Sequence, residues 1–155
     1  MGNSVVAAVA LGSNLGDRNA HLDHAISRLG DILDDLRVSR FYDTVPVGAP
    51  GPQPLFLNAA AVGLTTMAAR EVLGTLLAIE QERGRERPYQ NAPRSLDLDL
   101  ILFGDSVIDE PGLVVPHPRF RERRFVLEPL AEIAADLRDP LTGQTVAALL
   151  QALRK

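Results

Sequence analysis

Asp97 and Asp99 are the residues of this chain best placed to do chemistry. They lie in the stretch Arg94-Ser95-Leu96-Asp97-Leu98-Asp99-Leu100-Ile101-Leu102-Phe103-Gly104. Ser95, Asp97 and Asp99 alternate with Leu96, Leu98 and Leu100, the period-2 pattern of a strand. Beyond Asp99 the stretch is apolar through Phe103, so the strand enters a core. The two carboxylates therefore share one face at the mouth of a buried strand. Their Cα atoms would be about 6.6 Å apart, from a rise of about 3.3 Å per residue. Acids held this close repel unless something positive lies between them. Arg94 is one such partner, and a divalent cation is the better one. Taken alone, D-x-D is also compatible with a half-solvated strand face that binds nothing.

The rest of the chain adds positive charge. Residues 83–94 hold Arg83, Arg85, Arg87 and Arg94 against Glu86, and residues 117–124 hold Arg119, Arg121, Arg123 and Arg124 against Glu122. Two local excesses of Arg in a chain of net charge −4 suit a compact anionic ligand. Solvated Arg on loops is the other reading. Arg binds phosphate oxygens in planar, bidentate fashion. His117 sits between Pro116 and Pro118, beside the second Arg cluster. It has no Cys or nearby second His to complete a zinc site, and is either structural or a phosphate-contacting donor. Asn58, the one strongly polar residue of an apolar strand, needs partners if buried, whether scaffold or ligand. Glu80 continues an apolar helical stripe by one turn, as a frayed end or as a site residue. Hard cations on carboxylates are usually Mg²⁺ bridging substrate phosphates. These residues alone point to a Mg-dependent phosphoryl or nucleotidyl transferase.

Composition sets the limits. The chain has 155 residues, 46% apolar and 23% charged, which fits one soluble domain with a real core. There is no Cys, hence no disulfide framework and no thiolate metal site. No apolar run is long enough to span a membrane, and the N-terminus lacks a signal-peptide pattern, so a cytoplasmic protein is expected. The acidic balance argues against general nucleic-acid binding.

The elements that must position these residues follow from periodicity. Residues 4–11 read as a buried strand. A glycine turn (Gly12 to Asp17) follows, with Asp17 as a candidate cap for a helix on Leu22, Ala25, Ile26 and Leu29. The turn lacks P-loop and dinucleotide patterns and reads as structural. Residues 36–43 read as one strand. Residues 44–55 hold six Gly or Pro, a long irregular loop of the kind that is functional or disordered. Residues 56–64 read as a strand, and 67–83 as a helix capped by Thr65 or Thr66. An Arg-rich loop, the strand 95–103 and a short β pair within 105–116 come next. A helix on Phe125, Leu130, Ile133 and Leu137 is expected to be irregular or restarted at Pro129, and a final helix covers 145–154. The order β-α-β-β-α-β predicts a ferredoxin-like, split βαβ antiparallel sheet with helices on one face and extra C-terminal helices.

The sequence resembles the 6-hydroxymethyl-7,8-dihydropterin pyrophosphokinases of folate biosynthesis. The resemblance is carried by Ala10-Leu11-Gly12-Ser13-Asn14-Leu15-Gly16-Asp17, Phe41-Tyr42-Asp43-Thr44-Val45-Pro46-Val47-Gly48 and Phe56-Leu57-Asn58-Ala59-Ala60. Pro93-Arg94-Ser95-Leu96-Asp97-Leu98-Asp99 and Val115-Pro116-His117-Pro118-Arg119, with Arg123-Arg124-Phe125 after it, are the most specific part. It covers nearly the whole chain and implies transfer of the terminal diphosphate of ATP, the co-substrate, to the pterin hydroxymethyl oxygen, releasing AMP. It implies that Asp97 and Asp99 hold two Mg²⁺ ions. Arg94, Arg123 and His117, and more loosely Arg85 and Arg87, match phosphate contacts, and Glu80 an acidic position near the nucleotide. Arg94 and Arg123 count with the two aspartates as catalytic. Thr44, Val45, Pro46, Val47, Phe56, Asn58 and Phe125 match the pterin pocket. An aromatic face such as Phe125 suits a flat ring, and the Asn58 amide suits its polar edge. Many members carry a Trp shortly before the P-R, where this chain has Asn91 with Tyr89 nearby, and the Arg-rich loop is shorter than in some. Both bear on loop contacts rather than on the metal site. A monofunctional monomer forming a single catalytic domain over residues 1–155 is expected, with pterin and ATP as its only partners. The rival class is a non-catalytic ferredoxin-like module. An RNA-binding version needs stacking aromatics and a basic face, against 5% aromatics and no Trp here.

Overall fold

The computed structural model describes residues 3–45, 55–84 and 95–153. Strand β1 (Val5–Ser13) runs through the middle of an antiparallel sheet. On one side it pairs with β4 (Phe56–Thr65), and on the other with β5 (Asp97–Phe103), which forms an edge. The far side of β4 carries β2 (Asp34–Val38) and then β3 (Tyr42–Thr44). The order β2-β4-β1-β5 inserts β4 between β1 and β2, which is the split βαβ arrangement expected.

Helix α1 (Arg18–Leu29) starts where expected, because the Asp17 carboxylate accepts the Ala20 N–H at 3.1 Å. Helix α2 (Ala69–Glu82) starts later than the Thr pair suggested. Thr65 Oγ1 instead accepts from Met67 N, and Glu71 reaches back to the Ala68 N–H, which fixes the helix start at Ala69. Leu22, Ala25 and Leu29 of α1 and Val72, Leu76 and Ile79 of α2 bury one face of the sheet.

Helices α3 (Arg124–Ala134) and α4 (Val146–Leu153) cover the other face, where Val126, Leu127, Leu130, Val146, Leu149 and Leu150 form a second core with Ala8, Ala60 and Val62. The sheet is thus sandwiched, beyond the one covered face expected. Between β5 and α3 come the hairpin β6 (Ile108–Glu110) and β7 (Leu113–Val115) and a short 3-10 turn (Phe120–Glu122).

Two local expectations are corrected. The single strand over 36–43 is two, broken at Ser39. Its backbone N–H still donates to Ala60 O, but its hydroxyl takes the Ala60 N–H that a ladder carbonyl would otherwise accept. Pro129 does not restart α3. It lies buried in the second turn of a continuous helix, so one missing N–H near the helix start is outweighed by burial of Leu127 and Leu130 on either side of it. Glu132 further fastens α3 to the sheet by accepting from Arg40 N and Tyr42 Oη.

Candidate active site

Register places the predicted site residues. Tyr42 on β3 pairs with Asn58 on β4, Asn58 with Gly12 on β1, and Gly12 with Asp97 on β5. Cross-strand partners point to the same face, so these four form one row across the sheet. Thr44 and Phe56 pair two residues further along on the same face, and Asp99 pairs with Ala10 two residues the other way. This is the face that α3 and α4 cover lower down. At this end of the sheet, Asp97 and Asp99 are half-buried while Leu96, Leu98 and Leu100, which alternate with them, are buried in the opposite core.

The Asn58 side chain is buried, at 7% exposure, and the Thr44 hydroxyl donates to its Oδ1. That fixes the amide with Nδ2 over Gly12. A Cβ built on Gly12 would lie 3.1 Å from Asn58 Nδ2 and 3.6 Å from the Phe56 ring. Gly12 is itself buried, and its missing Cβ lets the Asn58 amide and the Phe56 ring close down over this strand. Phe125, in the first turn of α3, faces Thr44 across a cleft of about 210 Å³ that Tyr42, Arg124, Glu128 and Pro129 also line. The Arg123 guanidinium lies over the Phe125 ring, 5.6 Å from its centre.

His117 reaches the site through a bulge. The β1–β5 register shifts between Ala8 and Val9, so Leu100 and Leu102 keep partners while Ile101 is extra. Ile101 O accepts the His117 N–H at 2.9 Å. The imidazole Nδ1 accepts from Arg119 N at 3.2 Å, which places the proton of the neutral ring on Nε2. Burial holds the His117 pKa below the usual histidine value; Arg123 and Arg119 act in the same direction, and Asp97 opposes them. His117 thus offers a neutral N–H donor close to the Asp97 carboxylate and the Arg123 charge.

Not every predicted residue joins this group. Glu80 is buried, at 2% exposure, on the helix layer behind the opposite face, and its Oε2 accepts the Leu98 N–H at 2.6 Å. It is no frayed end. Val45 is exposed. Pro46, Val47, Arg85, Arg87 and Arg94 lie outside the described residues, as do Tyr89 and Asn91. The second Arg cluster divides: Arg119 and Arg123 flank His117, whereas Arg121 pairs with fully buried Asp139 and Arg124 with Glu128. In the sequence, Gly12 reads as part of a structural turn. Its signal was only an alternation, with Ala8, Ala10 and Gly12 as the small residues on one face of β1.

As a donor set, Asp97 and Asp99 fit Mg²⁺. They offer hard carboxylate oxygens from one face, and among the described residues no group of three or more His, Cys, Asp or Glu forms an all-protein cage. Mg²⁺ is typically held by one or two carboxylates with the substrate's phosphates completing its shell.

The profile of the 7,8-dihydro-6-hydroxymethylpterin-pyrophosphokinase (HPPK) family matches residues 8–135. The chain belongs to this family. Membership makes it a transferase, a pyrophosphokinase of folate biosynthesis. The 2-amino-4-hydroxy-6-hydroxymethyldihydropteridine pyrophosphokinase of Pseudomonas aeruginosa is 42% identical over 146 residues, covering 93% of this chain and 89% of the relative. That of Synechocystis is 41% identical over 147 residues, covering 94% and 74%. The same fold occurs in Plasmodium falciparum HPPK-DHPS, with TM-score 0.77 at 14% identity over 98% of this chain, which spans only 45% of that longer one. Among the described residues no helix is long and apolar enough to cross a membrane.

Proposed function

We propose that the row Asn58–Gly12–Asp97, with Asp99 beside it, is where this pyrophosphokinase brings 6-hydroxymethyl-7,8-dihydropterin and ATP together. The single observation carrying this reading is that row. It sets an amide that can read a polar ring edge on the same face as two carboxylates, with one glycine between them. The flat pterin lies on this face beside Asn58, which Gly12 lets pack close to β1. Phe56 and Phe125 supply ring faces, Asn58 Nδ2 donates to the polar edge, and Thr44 holds that amide in place. Val45 and, by resemblance, Pro46 and Val47 complete the pocket.

His117 Nε2–H and the Arg123 guanidinium donate to the ATP phosphates, with Arg85, Arg87 and Arg94 added by resemblance. Asp97 and Asp99 would hold two Mg²⁺ ions, which supply positive charge to the triphosphate as it reacts. The hydroxymethyl oxygen bonds to the β-phosphorus, the bond from that phosphorus to the AMP oxygen breaks, and the hydroxymethyl proton is lost to solvent. No side chain of the row is a required general base, so these residues act by positioning and charge. Neutral His117 suits this, because it donates without adding a charge that would compete for Asp97. A cytoplasmic monomer remains the reading of location and assembly, and light scattering at working concentration tests the monomer.

Nucleotides resolved by ion-exchange chromatography after partial turnover test the reaction. AMP and pterin diphosphate in equal amounts are expected. ADP as the main product would overturn diphosphate transfer and leave the metal site standing.

A further inference from the structure

We infer that Glu80 is a positioning residue that holds the two aspartates in register, and that it does not contact the nucleotide. The inference rests on the metal-site reading given above for Asp97 and Asp99. Strand β5 is the edge of its sheet, and an edge strand has backbone groups that its single neighbour cannot pair. Leu98, the residue between the two aspartates, has its N–H bound by Glu80 Oε2 at 2.6 Å. The carboxylate comes from the last turn of α2, on the helix layer opposite the site face. Its side chain is buried, at 2% exposure, two residues before the helix ends.

A buried carboxylate is a costly partner for a backbone amide, because desolvation opposes the charge. It is a specific one. A charge-assisted hydrogen bond is shorter and roughly twice as strong as a neutral one, and this one acts at the opening residues of β5. Asp97 and Asp99 alternate about Leu98, so fixing the Leu98 amide fixes the direction of both carboxylates at once. Slippage by one residue would turn both acids into the core. Glu80 thus acts on the acids through the strand, without touching whatever they bind.

The test compares Glu80→Ala with Glu80→Gln, whose amide oxygen keeps an acceptor. Mn²⁺ serves as the probe, titrated by electron paramagnetic resonance in the presence of a non-hydrolysable ATP analogue. Amide exchange at Leu98 and at Val62, a remote β4 residue, is followed by NMR without any ligand. Glu80→Ala is expected to speed exchange at Leu98 at least tenfold with Val62 unchanged. It should weaken Mn²⁺ half-saturation at least tenfold, while Glu80→Gln stays within about threefold of the unaltered protein in both. If Glu80→Ala fails to fold, Glu80→Gln carries the test: a larger change at Val62 than at Leu98 would make Glu80 a general scaffold residue and overturn the inference. Unchanged Leu98 exchange, together with weaker binding of the ATP analogue in EDTA for both variants, would return Glu80 to the nucleotide. Absence of Mn²⁺ binding by the unaltered protein would instead remove the metal-site reading and the inference with it.

Discussion

Replacing Gly12 by Ala separates binding from stability. In the folded chain a Cβ at this position lies 3.1 Å from Asn58 Nδ2, closer than ordinary van der Waals contact of 3.4–4 Å, so the amide must give by a few tenths of an ångström. Asn58 cannot do so freely, because its Oδ1 is held by the Thr44 hydroxyl. The methyl group would therefore push the Asn58 amide from the position in which it is proposed to read the pterin edge. Displacing one hydrogen bond to a buried polar edge costs about 1–3 kcal/mol, which is about a 5- to 150-fold loss of pterin affinity. The fold has less to lose. Gly12 is in a strand, away from the left-handed backbone region, and Ala in a strand is favoured over Gly by about 0.5–1 kcal/mol. Calorimetric titration with the pterin in the presence of a non-hydrolysable ATP analogue, and a thermal melt, read the two effects apart. Expected are weaker pterin binding, unchanged binding of the ATP analogue, and a Tm equal to or above that of the parent. Pterin affinity within twofold of the parent would refute the role of the Asn58 amide in reading the pterin. Equal weakening of both ligands with a lowered Tm would show strain in the sheet in place of a displaced amide.

Three further outcomes are expected. Asp97→Asn or Asp99→Asn should lower the single-turnover rate at least tenfold, about 1.4 kcal/mol of barrier, with circular dichroism unchanged; parental turnover of both at saturating Mg²⁺ would contradict the metal site. His21 accepts from Arg83 Nε at 2.9 Å, and its pKa is lowered, by burial first and then by Arg83, against Asp17, the Leu15 carbonyl and with a smaller push from His24. The unfolded chain therefore takes up this proton first, so stability is full above the usual histidine pKa of about 6.5 and is lost as pH falls from there through the lower folded value; the drop in Tm between about pH 7.5 and 5.5 should be smaller in His21→Gln. Asp139 is fully buried and accepts from Arg121, Leu141 N and Thr142 Oγ1, which together hold its pKa at about 2; Asp139→Asn should cost about 2 kcal/mol or more in urea unfolding, and a smaller loss would show that the pair is replaced by solvent.

The legible parts of this chain were those written in local period. The alternation around Asp97 and Asp99 names both the strand and the face that carries the acids. Glu80 stood out as a carboxylate on an apolar stripe, but its partner is a backbone N–H on a strand 18 residues on, which no helical pattern encodes. The Arg clusters were visible as charge and invisible as partners. Arg121 goes to Asp139, again 18 residues away, so only part of a cluster that looks uniform in sequence faces the site. Ser39 reads as one more polar member of an alternating strand, yet its hydroxyl replaces a ladder carbonyl and splits the strand. In each case the residue type was informative and the tertiary partner decided its role.

The position of the site follows from a change along shared strands. On one face, β1 shows Ala8, Ala10 and Gly12 in turn, and β4 shows Val62, Ala60 and Asn58 beside them. At the Ala8 end the small side chains let Val126, Leu127 and Leu130 of α3 seat closely and bury the face. At the Gly12 end Asn58, Thr44 and Asp97 bring polar side chains to the face, with Asn58 buried and Thr44 and Asp97 half-buried. Arg123 and Phe125 lie at the start of α3, where the helix meets that boundary, and the bulge at Ile101 carries His117 to the same place. The second helix layer is therefore part of the site's construction: it closes one half of the face, and its first turn delivers a ring and a charge to the half that it leaves uncovered.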